Sequence, residues 1–224
     1  MGGFLITFEG VEGSGKSTQV GLLSQRLSRE GLPFLVSREP GGTELCKGLR
    51  PLLLTEHGDG EKWCPDAELL LFCADRAQHL EAVVRPALRM GRIVVLDRFE
   101  DSTWAYQGAQ GAKEKTLEDL SKIVAKGLKP DLTLLLDANP AKALGRAGAR
   151  NDADEGFSET RFDNEALDFH RKVRERFLAI ASREPGRVLV VRAEADPAGI
   201  AEKIWLEVGP RLKAAGFSLG GRGV

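Results

Sequence analysis

A glycine-rich segment near the start of the chain carries a lysine and a serine at a fixed spacing. Residues 10–17 read G-V-E-G-S-G-K-S and follow an apolar run at residues 4–8 that is typical of a buried strand. Glycines let successive backbone N–H groups converge on phosphate oxygens, beside the positive end of a helix that begins near Lys16. In the pattern G-x-x-x-x-G-K-S/T, Lys16 reaches the β- and γ-phosphates and the Ser17 hydroxyl binds Mg²⁺. The segment predicts a nucleoside triphosphate site whose phosphates contact Gly10, Val11, Glu12, Gly13, Ser14, Gly15, Lys16, Ser17 and Thr18.

A carboxylate and an arginine follow a second apolar run. Residues 93–96 lead directly into Asp97 and Arg98. A carboxylate at the end of a core strand is suited to organising the magnesium ion of the phosphate loop, although Asp is also a favoured helix N-cap. The planar guanidinium of Arg98 offers a fork of N–H groups for a second phosphate. We therefore predict Ser17 and Asp97 as metal-site residues and Arg98 as a phosphate-binding residue.

A helical stretch at residues 68–79 places an aromatic ring and a hydrogen-bonding fork on one face. Phe72, Arg76 and His79 recur there at i, i+4 and i+7, which suits stacking of Phe72 on a base and a bond from Arg76 to a base carbonyl. An aromatic residue at helical spacing also suits the core. His79 is interpreted as a structural histidine, because phosphoryl transfer has little need of a base. The loop at residues 38–43, R-E-P-G-G-T, exposes a charge pair but is also compatible with a simple turn.

The elements that must position these residues alternate between strand and helix. Apolar, β-branched runs recur at residues 4–8, 33–36, 93–96, 132–136 and 188–191, separated by stretches of helical periodicity. This alternation predicts a three-layer α/β fold, with a five-stranded parallel sheet and helices on both faces. Together with the phosphate loop after the first strand, it resembles the fold of P-loop NTPases. The polar clusters follow the carboxyl ends of these runs, so we expect them to converge along one edge of the sheet.

Size and composition favour one domain with small-molecule partners. No linker or charge block divides the 224 residues, so residues 1–215 are predicted to form a single domain and residues 216–224 a flexible tail. Its 32 Lys and Arg against 33 Asp and Glu provide no electrostatic footprint for a nucleic acid polymer. The three cysteines form no close pair, and no apolar stretch approaches the roughly 18 residues that span a bilayer. We expect reduced thiols, cytoplasmic residence and no membrane partner.

Taken together, these segments resemble the thymidylate kinase family of nucleoside monophosphate kinases. The resemblance covers nearly the whole chain and rests on the acid at Glu12, on residues 38–43, on L-F-C-A-D-R-A-Q-H at residues 71–79, and on D-R-F at residues 97–99 leading to A-Y-Q-G at residues 105–108. By itself, the segment at residues 102–108 also suits a helix that ends in glycine. In this order and spacing, however, the motifs are highly specific.

The resemblance implies a role for each residue of an acceptor site. Glu12 would contact the deoxyribose 3'-hydroxyl, while Phe72 would stack on thymine and Arg76 would bond a thymine carbonyl. Arg98 would hold the monophosphate with help from Arg38. The remaining acceptor residues would lie near the base and the sugar, with the tyrosine crowding the position of a ribose 2'-hydroxyl: Ser102, Thr103, Tyr106 and Gln107.

A cationic cluster after the fourth predicted strand resembles the family's closing lid, at about residues 146–163. Negative charge spreads over the γ-phosphoryl oxygens in the transition state, and a late-arriving arginine stabilises it while closure expels water. Residues 11–14 of the phosphate loop contain no basic side chain. The resemblance therefore assigns this role to the lid, with Arg146 and Arg150 favoured. Gly148 stands where a related lid can carry a further arginine, and either arginine alone also suits a solvated helix surface.

The resemblance implies phosphorylation of dTMP to dTDP, with ATP as donor and Mg²⁺ as cofactor. The predicted catalytic residues act by positioning and charge neutralisation: Lys16, Arg98, Arg146 and Arg150. Two alternatives stay open, a kinase for another nucleoside monophosphate and a nucleotide-dependent switch, and the absence of an N-K-x-D guanine-reading motif disfavours the switch. The resemblance also implies a homodimer formed through helices.

Overall fold

Five parallel strands form the centre of the described protein. The computed structural model describes residues 2–56, 60–153, 161–194 and 196–220, without the side chains of residues 149–153. All pairings are parallel, in the order β2-β3-β1-β4-β5. Each strand coincides with a predicted apolar run, so the predicted five-stranded α/β fold is confirmed. The strands are β1 (Phe4–Glu9), β2 (Phe34–Arg38), β3 (Ile93–Asp97), β4 (Leu132–Asp137) and β5 (Val188–Arg192).

Helices connect consecutive strands, as parallel pairing requires. The predicted helix at residues 68–79 lies within the fourth of them, and a π-helical turn at Leu80–Val84 continues it. None of the described helices is long and apolar enough to cross a membrane. The helices are α1 (Lys16–Arg29), α2 (Glu44–Lys47), α3 (Leu49–Leu54), α4 (Pro65–His79), α5 (Arg85–Arg89), α6 (Glu100–Ala109), α7 (Glu114–Val124), α8 (Pro140–Ala153), α9 (Leu167–Arg183) and α10 (Pro197–Ala214).

Alternate residues of the strands pack on opposite faces of the sheet. Ile93 and Val95 of β3 belong to a buried cluster that contains Leu23 of α1. Their neighbours Val94 and Leu96 belong to a second cluster, which contains residues of the π-helical turn. Helices therefore cover both faces of the sheet, and the carboxyl ends of the strands are the edge where ligands bind in such folds.

The described part of the carboxyl-terminal segment packs beside α1. Phe217 is buried in the main core cluster, and the Gly220 N–H donates a hydrogen bond of 3.0 Å to the Glu30 carboxylate. Residues 221–224 of the predicted tail and residues 154–160 of the predicted lid lie outside the described residues. The single domain over residues 1–215 and the flexible tail stay predictions.

Candidate active site

A cavity of about 170 Å³ lies at the carboxyl ends of β1, β2 and β3. Parallel strands bring these ends to one edge of the sheet, so side chains that are distant in sequence meet there. Helices α4 and α6 supply the opposite wall. The cavity collects most of the predicted site residues: Glu12, Gly13, Lys16, Ser17, Arg38, Phe72, Arg76, Asp97, Arg98, Ser102, Thr103, Tyr106 and Gln107.

The phosphate loop between β1 and α1 has a backbone that its glycines permit. Gly10 and Gly13 have φ angles of 140° and 66°. A Cβ atom on Gly13 would lie 1.9 Å from the carbonyl oxygen of Ala143 in α8, so a larger residue does not fit there. The other predicted loop residues do not line the cavity, and the valine among them is buried in the core: Gly10, Val11, Ser14, Gly15 and Thr18.

Lys16 is buried at the start of α1, and its ammonium group bonds the phosphate loop itself. Nζ lies 3.1 Å from the carbonyl oxygen of Gly10 and 2.9 Å from that of Val11. Burial, reinforced by the positive charge of Arg98, lowers the pKa of Lys16 to about 8. The hydrogen-bond acceptors of this cation are neutral carbonyl dipoles, and phosphate oxygens are stronger acceptors.

Ser17 and Asp97 meet beside the phosphate loop. Ser17 Oγ donates a hydrogen bond of 2.8 Å to Asp97 Oδ2. Among the described residues, no cluster of three or more His, Cys, Asp or Glu side chains is arranged to hold a metal ion. A hydroxyl and a carboxylate next to a phosphate site nevertheless fit Mg²⁺, because this ion keeps several waters and takes further ligands from the phosphates.

Arg98 lies at the end of β3 and is paired with Glu12 of the phosphate loop. Its backbone has a φ angle of 71°, a left-handed conformation that L-residues rarely adopt and that clusters at functional sites. Nη2 lies 2.7 Å from Glu12 Oε1, and Nη1 lies 3.1 Å from both the Gly10 carbonyl oxygen and Ser102 Oγ. Arg98, the predicted phosphate-binding residue, and Glu12, the predicted sugar-binding residue, therefore form an ion pair.

The carboxylate of Glu12 stays ionised although most of its surface is covered. Burial favours its neutral form, but the charge of Arg98, a contact with His170 and the charge of Lys16 outweigh burial and lower the pKa of Glu12 to about 2. Tyr106 adds a hydrogen bond of 2.6 Å from its hydroxyl to Glu12 Oε2. The guanidinium carbon of Arg98 also lies 4.9 Å from the centroid of the Tyr106 ring.

An aromatic wall faces the cavity from α4 and from the segment before α9. The ring centroids of Phe72 and Phe162 are 6.3 Å apart. Phe162 meets the ring of Tyr106 at 5.4 Å in an edge-on arrangement. Phe72 is half-buried and lines the cavity, so its position suits stacking on a planar base.

Arg76 is buried on α4 and is held rigidly from three sides. Nε lies 2.7 Å from Glu39 Oε2, Nη1 lies 2.8 Å from Thr103 Oγ1, and Nη2 lies 3.0 Å from the carbonyl oxygen of Phe99. A guanidinium group has five N–H donors. Its three bonds to described residues orient the group at the cavity wall and leave donors for a base carbonyl.

His79 supports this arrangement from behind, as the sequence predicted for a structural histidine. Its Nδ1 lies 2.9 Å from Glu39 Oε1, and its Nε2 lies 2.8 Å from Ser37 Oγ. A Cβ atom on Gly42 would lie 2.4 Å from His79 Cδ2, so the glycine of the predicted loop allows this close packing.

Two buried carboxylates that the motifs did not single out anchor helix α6. Gln107 Nε2 donates a hydrogen bond of 2.8 Å to Glu68 Oε1, and Glu68 also forms an ion pair with Arg161. Ser102 Oγ donates a hydrogen bond of 2.6 Å to Glu9 Oε2. Burial, followed by the neighbouring Asp101 carboxylate, raises the pKa of Glu9 to about 8.

The arginines at the rim have different positions. Arg38 is exposed and lines the cavity from the end of β2. Arg146 on α8 is exposed and does not line the cavity. Its Nε donates a hydrogen bond of 2.9 Å to the carbonyl oxygen of Gly13. The side chain of Arg150 lies outside the described part of the chain. Of the predicted catalytic residues, the structure brings Lys16 and Arg98 together in one cavity.

A family profile described as thymidylate kinase matches residues 8–204. This chain belongs to the thymidylate kinase family. A thymidylate kinase of Synechococcus sp. is 47% identical over 211 residues, 94% of this chain and 96% of that protein. One of Pelobacter propionicus is 43% identical over 207 residues, 92% and 94% of the two chains. The crystal structure of thymidylate kinase from Ehrlichia chaffeensis matches with a TM-score of 0.74 at 31% identity, over 93% of this chain and 100% of that one.

Several residues of this family member's site are not among the predicted site residues. Phe162 and Asp163 line the cavity from the segment before α9, and Glu39 orients Arg76. His170, on α9, lies 3.5 Å from Glu12 Oε2 through its Nδ1 atom. Glu39 had a signal in the sequence, because it belongs to the loop that follows the second predicted strand, and Phe162 and Asp163 lie within the predicted lid. The other contacts depend on how α9 packs against the phosphate loop, which periodicity alone does not predict.

Proposed function

We propose that this thymidylate kinase family member transfers the γ-phosphoryl group of ATP to dTMP within the cavity. The chain phosphorylates dTMP to dTDP. The observation that carries the assignment of the site is that Lys16 of the phosphate loop, a second phosphate-binding group on Arg98 and the base-binding face of α4 line one cavity. In-line transfer between two nucleotides needs a donor site and an acceptor site in this proximity.

The acceptor base binds between α4 and α6. Phe72 stacks on thymine, and the rigidly held Arg76 donates to a thymine carbonyl. Residues of α6 surround the base and the sugar, and the Tyr106 ring occupies the space beside the sugar that a ribose 2'-hydroxyl needs. The support for these roles is the cavity lining, together with the three bonds that orient Arg76. The α6 residues with this role are Ser102, Thr103, Tyr106 and Gln107.

Arg98 changes partner when the acceptor phosphate arrives. In the structure its guanidinium is paired with Glu12. A dianionic phosphate is a stronger partner for a guanidinium than one carboxylate oxygen, because it accepts two parallel N–H bonds. Arg98, with Arg38 at the rim, then holds the acceptor and reduces the repulsion between the two nucleotides. Glu12 becomes available to the 3'-hydroxyl of the sugar.

The donor phosphates lie along the phosphate loop. Lys16 exchanges its carbonyl partners for the β- and γ-phosphate oxygens, and backbone N–H groups of residues 10–18 contact the remaining oxygens. Ser17 and Asp97 would hold Mg²⁺, which neutralises charge on the donor phosphates when it is bound. The support for this pair is the 2.8 Å contact between their side-chain oxygens.

Arginines of the lid complete the transition-state charge. Arg146 already lies against the phosphate loop through the Gly13 carbonyl, and Arg150 belongs to the same helix, α8. Residues 11–14 contain no basic side chain, so these two arginines are the proposed source of positive charge at the γ-phosphoryl group.

The Arg98→Ala variant tests the acceptor site. We expect dTMP-dependent turnover to fall by about 100-fold or more, because one preorganised charge donor contributes that much in comparable sites. ATP affinity is expected to change little, because Lys16 and the loop backbone remain. Coupled ADP release measures turnover, and ligand titration measures ATP binding.

Arg171→Ala is the matched control. Arg171 is also on an active-site element, α9, but its side chain is exposed and pairs with Asp168 of the same helix. Near-normal turnover by Arg98→Ala would contradict the proposed phosphate site. A panel of dTMP, dUMP, dCMP and dGMP in the same assay tests the acceptor. Preference for another monophosphate would reassign the substrate, and ADP release that no monophosphate stimulates would favour a nucleotide switch.

We also propose a homodimer and a cytoplasmic location. Two observations support association of two copies through helices. One is the family resemblance, and the other is Leu70 on α4, an apolar side chain that is 55% exposed. The three cysteines are free thiols, and two of them are buried, which is typical of proteins in reducing compartments.

A further inference from the structure

His170 is a buried histidine without a hydrogen bond. It lies on α9, none of its surface is accessible, and neither ring nitrogen has a hydrogen-bond partner among the described residues. Buried polar groups are nearly always hydrogen-bonded, so an exception points to a partner that another state of the protein supplies. Glu12 Oε2 lies 3.5 Å from Nδ1, which is in ion-pair range but not in hydrogen-bond geometry, and this long contact already helps to lower the pKa of Glu12.

Glu12 has two close partners in the structure, and the proposed function removes one of them. Arg98 bonds Oε1 at 2.7 Å, and the Tyr106 hydroxyl bonds Oε2 at 2.6 Å. When the acceptor phosphate attracts Arg98, Glu12 loses its closest positive charge inside a buried site. A buried carboxylate without a cation is costly. The approaching nucleotide adds further negative charge and increases that cost.

We propose that His170 is a positioning residue for Glu12: it takes up a proton from solvent and binds the Glu12 carboxylate when the acceptor phosphate draws Arg98 away. This inference rests on the proposed function of the same cavity. His170 then orients Glu12 toward the sugar hydroxyl without touching the nucleotide itself. The proton returns to solvent when the product leaves and Arg98 pairs with Glu12 again.

The surroundings of His170 favour this exchange. Glu12 is the only carboxylate among the described residues that lies within ion-pair distance of the imidazole. The ring of Phe169 packs edge-on at a centroid distance of 5.5 Å and restricts the imidazole without competing for its nitrogens. Several titratable and charged groups lie on the elements that pack around α9. They are Glu12 on the phosphate loop, Lys16 on α1, Arg98 after β3, Glu100, Asp101 and Tyr106 on α6, Lys142 and Arg146 on α8, Asp163 before α9, Arg192 on β5, and the Arg174–Asp137 pair that joins α9 to β4.

Calorimetry of dTMP binding tests the proton uptake. Binding enthalpies in buffers of different ionisation enthalpy report the number of protons taken up, for the wild type and for His170→Gln, at about pH 7. We expect the wild type to take up more protons per dTMP than the variant, which keeps a hydrogen-bonding side chain but does not titrate. Thymidine is the matched ligand control, because it lacks the phosphate that moves Arg98. It is expected to give equal proton counts in both proteins.

Nitrogen-15 spectra of the wild-type histidine rings provide a second readout that needs no variant. The chain has three histidines, His57, His79 and His170, and contacts to the Phe169 ring identify the third. We expect dTMP, but not thymidine, to shift the His170 nitrogens toward imidazolium values. The inference would be overturned if dTMP binding took up the same number of protons in both proteins, or if the His170 nitrogen shifts did not change with dTMP bound. In either case, continued turnover of dTMP would leave the proposed function intact. If dTMP does not bind at all, the proposed function itself fails.

Discussion

Two cations in the cavity, Lys16 and Arg98, are each held by acceptors of the protein itself. Lys16 bonds the carbonyl oxygens of Gly10 and Val11, and Arg98 bonds the carboxylate of Glu12. A buried cation without partners is strongly unfavourable, so these contacts stabilise both positive charges. In the proposed function, phosphate oxygens replace these acceptors, so that neither cation passes through an unpaired state.

Replacing Phe72 by leucine tests base stacking. Leucine keeps an apolar side chain at the cavity wall but removes the aromatic plane. Stacking of a base on an aromatic side chain contributes about 1–3 kcal/mol, so we expect the KM for dTMP to rise roughly 10- to 100-fold. The KM for ATP is expected to stay unchanged. Steady-state kinetics with each substrate varied in turn provide the measurement.

Leu70→Ala on the same helix is the control for the Phe72 variant. Leu70 is 55% exposed and does not line the cavity, so its truncation is expected to leave the KM for dTMP unchanged. An unchanged KM in Phe72→Leu would show that the ring is only a packing residue.

At the scale of elements, α6 is the helix that carries most residues of the proposed acceptor site. Its site residues recur at i, i+1, i+4 and i+5, which places them on one face of the helix. The first turn of α6 is tied down on the opposite side by Asp101. This carboxylate accepts hydrogen bonds of 2.7 and 3.0 Å from the two Nη atoms of Arg187, which lies in the segment that leads into β5. Arg187 therefore anchors the acceptor helix to the far edge of the sheet.

Asp101→Asn is expected to destabilise the protein by about 2 kcal/mol, because a buried hydrogen bond to a charged group contributes on this order and Arg187 keeps only Glu184 as a charged partner. Urea unfolding at about pH 6 provides the measurement. At that pH Glu9, with a pKa of about 8, is neutral, so loss of its repulsion from Asp101 does not offset the effect.

Asp119→Asn on α7 is the control for this element. Asp119 forms a solvent-exposed pair with Lys115, and such pairs contribute little to stability. No measurable change is expected. If Asp101→Asn were as stable as the wild type, the Arg187 contact would not be what anchors α6.

At the scale of the whole molecule, the stability of the fold depends on pH through Glu9. The Glu9 carboxyl lies at the end of β1 and accepts hydrogen bonds from the N–H groups of Phe99 and Ser102 at the start of α6. Its pKa is about 8 in the folded protein, against 4.5 for an ordinary glutamate. Between these two values the folded protein keeps a proton that the unfolded chain has lost. Raising the pH through this window therefore lowers the free energy of unfolding.

Glu9→Gln is expected to remove this pH dependence. Relative to the variant, the wild type loses stability as the pH rises from about 4.5 to 8. Because one proton is involved, its unfolding equilibrium constant rises by at most about tenfold per pH unit. Urea unfolding of both proteins at several pH values across the window tests this. Glu118→Gln, on the exposed face of α7, serves as the control. A constant difference in stability between the wild type and Glu9→Gln at every pH would contradict the prediction.

The elements and the phosphate loop could be predicted from the sequence because their determinants are local. The apolar runs coincide with all five described strands, since buried parallel strands need uninterrupted apolar residues. The loop at residues 10–17 is one continuous segment whose glycines are required by its own backbone. The family follows from the same motifs, because their order along the chain is specific.

The contacts between these segments could not be read from local patterns. Glu9, Glu68 and Phe162 are not among the predicted site residues, and their roles arise from partners on other elements. A charged residue such as Glu68 is predicted to be exposed by its type, whereas the packing of α4 against α6 buries it and supplies its partners.

The sequence by itself determined the phosphate loop, the strand–helix alternation and the family, because each depends on residues that are neighbours along the chain. Only the tertiary structure decided that Arg98 pairs with Glu12 and that His170 is buried next to this pair. Those contacts join β1, β3 and α9, and they form only when the strand order and the packing of the helices bring distant residues into one cavity.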